Sequence, residues 1–454
     1  MADRKAEEIP YRFMAPLVLG TMMNPLNSTM LATALLTICH SFGQSISDGA
    51  ILITSLYITS TIAQPLMGRL ADIYSPKKIN FLAFVLVLIA ALVGVLAPAF
   101  GWLIVSRVLL GLGTSAAYPS AMALVNKYYA EEGRAVPGRV LGILALSGQV
   151  SMVLGPVLGG LLTQMFGWKG IFLINIPWVI VAMVLSRAIP DYPPSGVRNK
   201  GSLFKELDVT GIVLFSLFLL FLMFSLTSHS FSIPHVAILL ILFLLLIGWE
   251  LRQQTPFVDV RMLKQNLPLT LVYVRTMATN FVLYVMLYAM PQWLEGVKRF
   301  APAQTGLLMI PNSIMSAVIG LLIAKSTNLF RQNLLGVGVM IAACAGLLLL
   351  HQQTPVYFIF LFTLLMGMAE GINLITNQAL MNAESPLAQK GVSAGLYRTF
   401  GYIGAIISGS QIKTHFSSGV TDYSFHQLAF FTLISCTTLI ILLVPLYIHR
   451  RQLK

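Results

Sequence analysis

Glu370 sits inside LFTLLMGMAEGINLITNQALM, an apolar run long enough to span a bilayer, and no other acid lies so deep in such a run. A charge at the centre of a membrane helix costs about 2.5 to 3.5 kcal/mol on insertion scales, which marks the position as a candidate for function. A carboxyl that moves between wet and closed surroundings can load and release a proton. On a helix, Thr363, Met366, Glu370, Asn373 and Asn377 recur at three and four residues and form one largely polar stripe. A permanent structural ion pair is the alternative use of the same glutamate. At about 1.5 Å per residue, Arg275 lies roughly 10 Å above the inner end of its own run, at the depth of Glu370. The two are expected to pair in one conformation and separate when proton or substrate arrives; snorkelling of Arg275 to inner phospholipids stays open. Arg107 lies near the outer end of another run, followed on one face by Gly111, Thr114 and Tyr118.

Uncharged polar faces complete the candidate site. Asn24, Asn27 and Ser28 fall on the first apolar run, and Thr276, Asn280, Tyr284, Tyr288 and Gln292 share a face of the run holding Arg275. With Thr114, Tyr118, Asn373, Asn377 and 21 methionines in the chain, they predict an adaptable, sparsely polar cavity for small amphiphilic molecules.

The element that must move around this cavity is GILALSGQVSMVLGPVLGGLL, Gly142 to Leu162, broken by Gly148, Gly155, Pro156, Gly159 and Gly160. Gly155 and Gly159 are four apart and so share a helix face open to close approach. Pro156 removes a backbone donor between them, which bends or weakens the helix. The expectation is a close-packed joint between two moving bundles; a static helix pair with a tolerated proline is the alternative.

The whole chain supports a membrane setting. Its 454 residues are 57% hydrophobic and 10% charged, with mean hydropathy +0.81, outside the range of soluble globular proteins. The net charge of +13 comes from short basic pieces between apolar runs, with no basic face for nucleic acid. Cys39, Cys344 and Cys436 read as small core residues, and none of the seven histidines has a partner at metal spacing. There is no GxxxxGK[ST] or HExxH, so neither a cofactor nor enzymatic chemistry is expected, and an ion gradient remains the energy source. The expected partners are a small-molecule substrate, protons and the lipid bilayer.

At about 20 residues per span, fourteen candidate membrane helices can be placed. With both termini inside, 23 of the 29 Lys and Arg fall on inner segments and 4 on outer ones, with Arg107 and Arg275 in spans. The positive-inside rule thus supports an even number of spans with both ends cytoplasmic. The Pro-rich loop from Arg187 to Asp208 suggests a six-helix bundle over residues 1–190, two extra spans with linkers over 191–266, and a second six-helix bundle over 267–454. A faint repeat aligns LLGLGTS at Leu109 with LMGMAEG at Leu365, as duplicated transporter halves would.

Five segments then carry a resemblance: GRLADIYSPKK at Gly68, LIVSRVLLGLG at Leu103, GWKGIFLINIPWVI at Gly167, PQWLEGVKRFAPAQTGLLMIP at Pro291 and KGVSAGLYRTFGYIGAIISG at Lys390. In this order they resemble the fourteen-span drug:proton antiporter family of the major facilitator superfamily. The GPxxGG run at Gly155 resembles its antiporter motif. The resemblance implies an all-α major facilitator fold and a proton-coupled multidrug exporter of a bacterial inner membrane, working by alternating access. It gives Arg107 a part in proton passage, Gly68 and Asp72 a part in latching the inner face, and leaves a periplasmic adaptor open. Two departures matter. Ile73, Ser75 and Pro76 thin the charge of the inner loop, and Asn27 stands where such exporters commonly carry aspartate. Export of an anionic or zwitterionic metabolite or siderophore is therefore one alternative, and a non-transporting receptor or scaffold another.

Overall fold

Backbone amides cannot stay unpaired in hydrocarbon, so a chain this apolar must close its hydrogen bonds within helices. The computed structural model describes residues 10–134, 136–192, 208–227, 232–253, 256–323, 328–385 and 390–452. The Asp72 side chain and most of the Pro-rich linker lie outside the described residues.

These residues form helices alone. The first set is α1 (Tyr11–Ser41), α2 (Ile46–Ile73), α3 (Pro76–Val95), α4 (Phe100–Glu131), α5 (Gly138–Phe166), α6 (Gly170–Leu173) and α7 (Asn175–Ser186). A pair follows, α8 (Val209–Thr227) and α9 (Ile233–Glu250), then the short α10 (Val260–Gln265). The second set is α11 (Leu267–Gly296), α12 (Pro302–Ile323), α13 (Leu329–Leu347), α14 (Val356–Glu384), α15 (Lys390–His415) and α16 (Asp422–Gln452).

Eight of these helices are long and apolar enough to cross a membrane: α2, α3, α4, α8, α9, α11, α12 and α14. The α5 segments Leu146–Met152 and Leu154–Phe166 meet at 41° and make a ninth if counted as one span. The bend is where Pro156 leaves the Met152 carbonyl without its helical donor. Gly170–Ser186 and Arg331–Leu347 are apolar but shorter. Although 31 and 26 residues long, α1 and α15 fall outside this group. Asn24 and Asn27 on one, and Arg398 with several glycines and serines on the other, lower their apolarity.

Within the first set α1 packs on α4, α5 and α7, and α4 packs on α2 and α3. In the second, α11 packs on α15 and α16, and α14 on α12 and α13. Small residues set these distances. A Cβ at Gly155 would come 2.6 Å from the Thr29 Cβ, and one at Gly159 would lie 2.4 Å from the Met30 carbonyl. The same device recurs in the second set, where a Cβ at Gly367 would lie 2.0 Å from the Asn312 carbonyl. The sets meet through α5 with α12, α2 with α15, and α1 with α11.

The α8–α9 pair leans on α2 and α15. Asp208 ties it together by accepting from the Gly211 amide, the Trp249 indole and the Phe257 amide, at 3.1, 2.7 and 3.0 Å. Arg69 at the end of α2 donates to the Pro256 carbonyl just beyond α9. The three cysteines are free and buried, as their placement in apolar runs suggested.

Candidate transport cavity

Between the two sets lies a cavity of about 310 Å³. Its wall takes Asn24, Pro25 and Ser28 from α1, Thr114 and Tyr118 from α4, Gly148 and Pro156 from α5, Asn280 and Tyr284 from α11, Glu370 from α14, and Arg398 from α15. Six methionines, Met152, Met286, Met290, Met309, Met366 and Met381, supply much of the apolar surface.

Glu370 is the one carboxylate among the lining residues, and its Oε2 accepts from Asn312 Nδ2 of α12 at 3.1 Å. Helical periodicity divides its stripe. At about 100° per residue, Leu374 and Gln378 fall to one side of Glu370, and Asn373 and Asn377 to the other. The first pair lines the cavity, whereas the second faces α11. There the fully buried Arg275 donates through Nε to Asn377 Oδ1 at 2.6 Å and through Nη2 to Asn373 Oδ1 at 2.9 Å. Asn373 also donates to the Gly336 carbonyl of α13, and Asn377 to Thr279. In this conformation Arg275 and Glu370 thus have different partners, and Arg275 clasps three helices.

Arg107 also stands behind the wall. It donates through Nη1 to the Asn27 carbonyl at 3.2 Å, while its Nε and Nη2 have no hydrogen-bond partner. Asn27 does not line the cavity. It forms a reciprocal amide pair with Asn175 of α7, at 2.6 and 2.7 Å. Asn24 does face the cavity, held by a 2.8 Å bond to Thr114.

The two faces of the bundle differ. The far face, opposite the start of α1 and the end of α16, is sealed between the sets. Tyr288 donates to the Ser28 carbonyl at 2.9 Å, and Gln292 to the Ala32 carbonyl at 3.2 Å. Both residues therefore lie in this seal and outside the cavity lining expected for them. A Cβ at Gly160 would lie 2.3 Å from the Pro302 carbonyl, and one at Gly306 2.5 Å from the Pro156 carbonyl. Ser47 of α2 closes the other seam through the Lys413 carbonyl at 2.6 Å. Nearer the face that holds the termini, the sets touch where the Arg398 guanidinium carbon lies 3.7 Å from the Tyr118 ring centre. Gly68 packs within α2–α4, its Cβ position 3.7 Å from Pro119.

Sequence reasoning placed Arg398 on an inner segment and so missed it as a cavity residue. The signal was present: Ala394, Arg398 and Tyr402 are four apart on one helix face and all line the cavity. It also passed over Glu295 at the far end of α11, which is 5% exposed. Among the described residues no group of three or more His, Cys, Asp or Glu could hold a metal.

An MFS-type transporter of Bacillus subtilis, YwoD, is 30% identical over 96% of both chains. The riboflavin transporter RibZ of Clostridioides difficile is 23% identical over 89% of this chain and 87% of its own. The methyl viologen resistance protein SmvA of Salmonella typhimurium is 26% identical over 87% and 81%. Among solved structures, a POT family transporter in complex with 5-aminolevulinic acid superposes with a TM-score of 0.70 at 15% identity, covering 95% of this chain and 96% of its own. The model of the Major Facilitator Superfamily matches residues 17–409, so this chain belongs to that superfamily and is a membrane transporter, not an enzyme.

Proposed function

We propose that the protein is a proton-coupled exporter of small amphiphiles, working by alternating access in a bacterial cytoplasmic membrane. The observation that carries the reading is Glu370: the one carboxylate on the cavity wall, without an ion-pair partner among the described residues, in a cavity sealed at one face. Relatives named for methyl viologen resistance, multidrug resistance and riboflavin transport support small-molecule traffic of this kind.

The topology proposed with it has fourteen spans, in which α6 and α7 form one broken span and α10 lies at the surface. The domains are then residues 1–190, 191–266 and 267–454, with α8 and α9 as the extra spans. Both termini are cytoplasmic by the positive-inside rule, which makes the far face the external one. Rocking of the sets would break the Gly160–Pro302 and Tyr288–Ser28 contacts and open the cavity outward, with Gly148, Gly155, Pro156 and Gly159 shaping the joint. Asp72 and Gly68 would latch the opposite face. Glu370 would exchange its proton for substrate, and Arg275 would leave Asn373 and Asn377 for Glu370 in the other conformation. Arg107, with donors to spare, would assist proton passage.

The test is proton movement in inverted vesicles carrying wild type or Glu370→Gln, read with a pH-quenched dye against cationic, neutral and anionic compounds. Collapse of an imposed gradient by a compound through wild type alone supports antiport. Detectable binding without any such collapse removes proton coupling and favours a facilitator or receptor.

A further inference from the structure

Two opposite charges line this cavity without pairing. Glu370 holds only the neutral Asn312 amide, and Arg398 rests on the Tyr118 ring with no ion-pair partner among the described residues. Their separation along the bundle follows from helix rise. Glu370 is fourteen residues from the end of α14, about 21 Å, and Arg398 eight residues from the start of α15 at the same face, about 12 Å. The charges are therefore offset by roughly 9 Å along the axis. An internal ion pair at that distance is weak, so each charge is left for a ligand. Three tyrosines share the cavity wall with them, Tyr397 and Tyr402 on the Arg398 helix and Tyr284 opposite.

We propose that the cavity takes its substrate as a dipole: a planar aromatic body with an anionic group at Arg398 and a cationic or proton-donating group at Glu370. A guanidinium donates two parallel hydrogen bonds to a carboxylate from its edge while its face stays on Tyr118. Zwitterionic aromatics are thus preferred over cations of the same size. The inference rests on the reading of this cavity as the substrate site.

Three xanthene dyes test it: rhodamine B, with a delocalised cation and a carboxylate; rhodamine 6G, a cationic ester; and fluorescein, which is anionic. Binding to purified full-length protein is read by fluorescence anisotropy for wild type, Arg398→Gln, Arg398→Lys and Glu370→Gln, each checked for its thermal unfolding midpoint. The expected result is tightest binding of rhodamine B by wild type. Arg398→Gln should weaken rhodamine B and fluorescein about tenfold or more with rhodamine 6G unchanged, Arg398→Lys should restore part of the loss, and Glu370→Gln should weaken rhodamine B and rhodamine 6G. Equal loss of all three dyes in Arg398→Gln, or tightest wild-type binding of rhodamine 6G, overturns the dipole assignment while leaving the cavity as the substrate site. Binding of all three dyes that none of the three variants alters overturns both.

Discussion

The sealed half of the interface and the half that holds the cavity are built from the same helices, yet they use side chains in opposite ways. At the seal, side chains are absent or bonded to backbone: Gly160 and Gly306 lie against carbonyls of the opposite set, and Tyr288 and Gln292 donate to carbonyls of α1. In the cavity, Glu370 and Arg398 each have one weak neighbour and point to open space. Contacts to backbone can be broken and remade without stranding a charge, which suits a gate. Unpaired charges are costly to hold, which suits a ligand site.

Enlarging the seal should break this contrast most strongly. Gly160→Leu places a side chain where the Pro302 carbonyl sits, and overpacking costs about 1 to 3 kcal/mol. Flux in vesicles should fall about 10- to 100-fold. A cysteine placed by Tyr288→Cys should become open to a membrane-impermeant maleimide from the far face. Gly155→Val overpacks against Thr29 inside the first set, so its effect should be of another kind. The unfolding midpoint in detergent should drop, by about 1 to 3 kcal/mol of stability, with far-face labelling unchanged. Labelling that rises at constant stability would move Gly155 into the gate.

Arg275→Gln tests whether a charge behind the wall acts on the one in front. If Arg275 changes partners during the cycle, the midpoint of transport against pH should move by about one unit, close to a tenfold rate change at fixed pH. An unmoved midpoint with lower stability makes Arg275 a clasp for Asn373 and Asn377 alone. The smallest effect belongs to Tyr288→Phe, which keeps the ring and removes the donor to Ser28. Membrane hydrogen bonds average about 0.6 kcal/mol, so labelling at the far face should rise about threefold. No change would mean that the Tyr288 hydroxyl does not hold the seal.

The buried charges and small-residue helices were legible from composition and spacing, because a polar group in a long apolar run stands out by its cost. Partner choice was not legible. Asn24 and Asn27 share a helix three residues apart, yet one faces the cavity and the other pairs with Asn175, which is 148 residues away in the chain. Asn373 and Asn377 share the stripe of Glu370 and serve Arg275 instead. Arg398 shows the limit most clearly: by sequence it belongs to a basic segment at a helix end, and the inward face of α15 puts it on the cavity wall.

The sequence by itself determined a helical membrane chain, the superfamily pattern, and the costly charge at Glu370, since these follow from local apolarity, spacing and the price of burial. Only the tertiary structure decided which polar faces meet the cavity, which become clasps and which close the gate. A helix presents polar groups over a wide arc, and which part of that arc meets a neighbour depends on how distant segments pack around it.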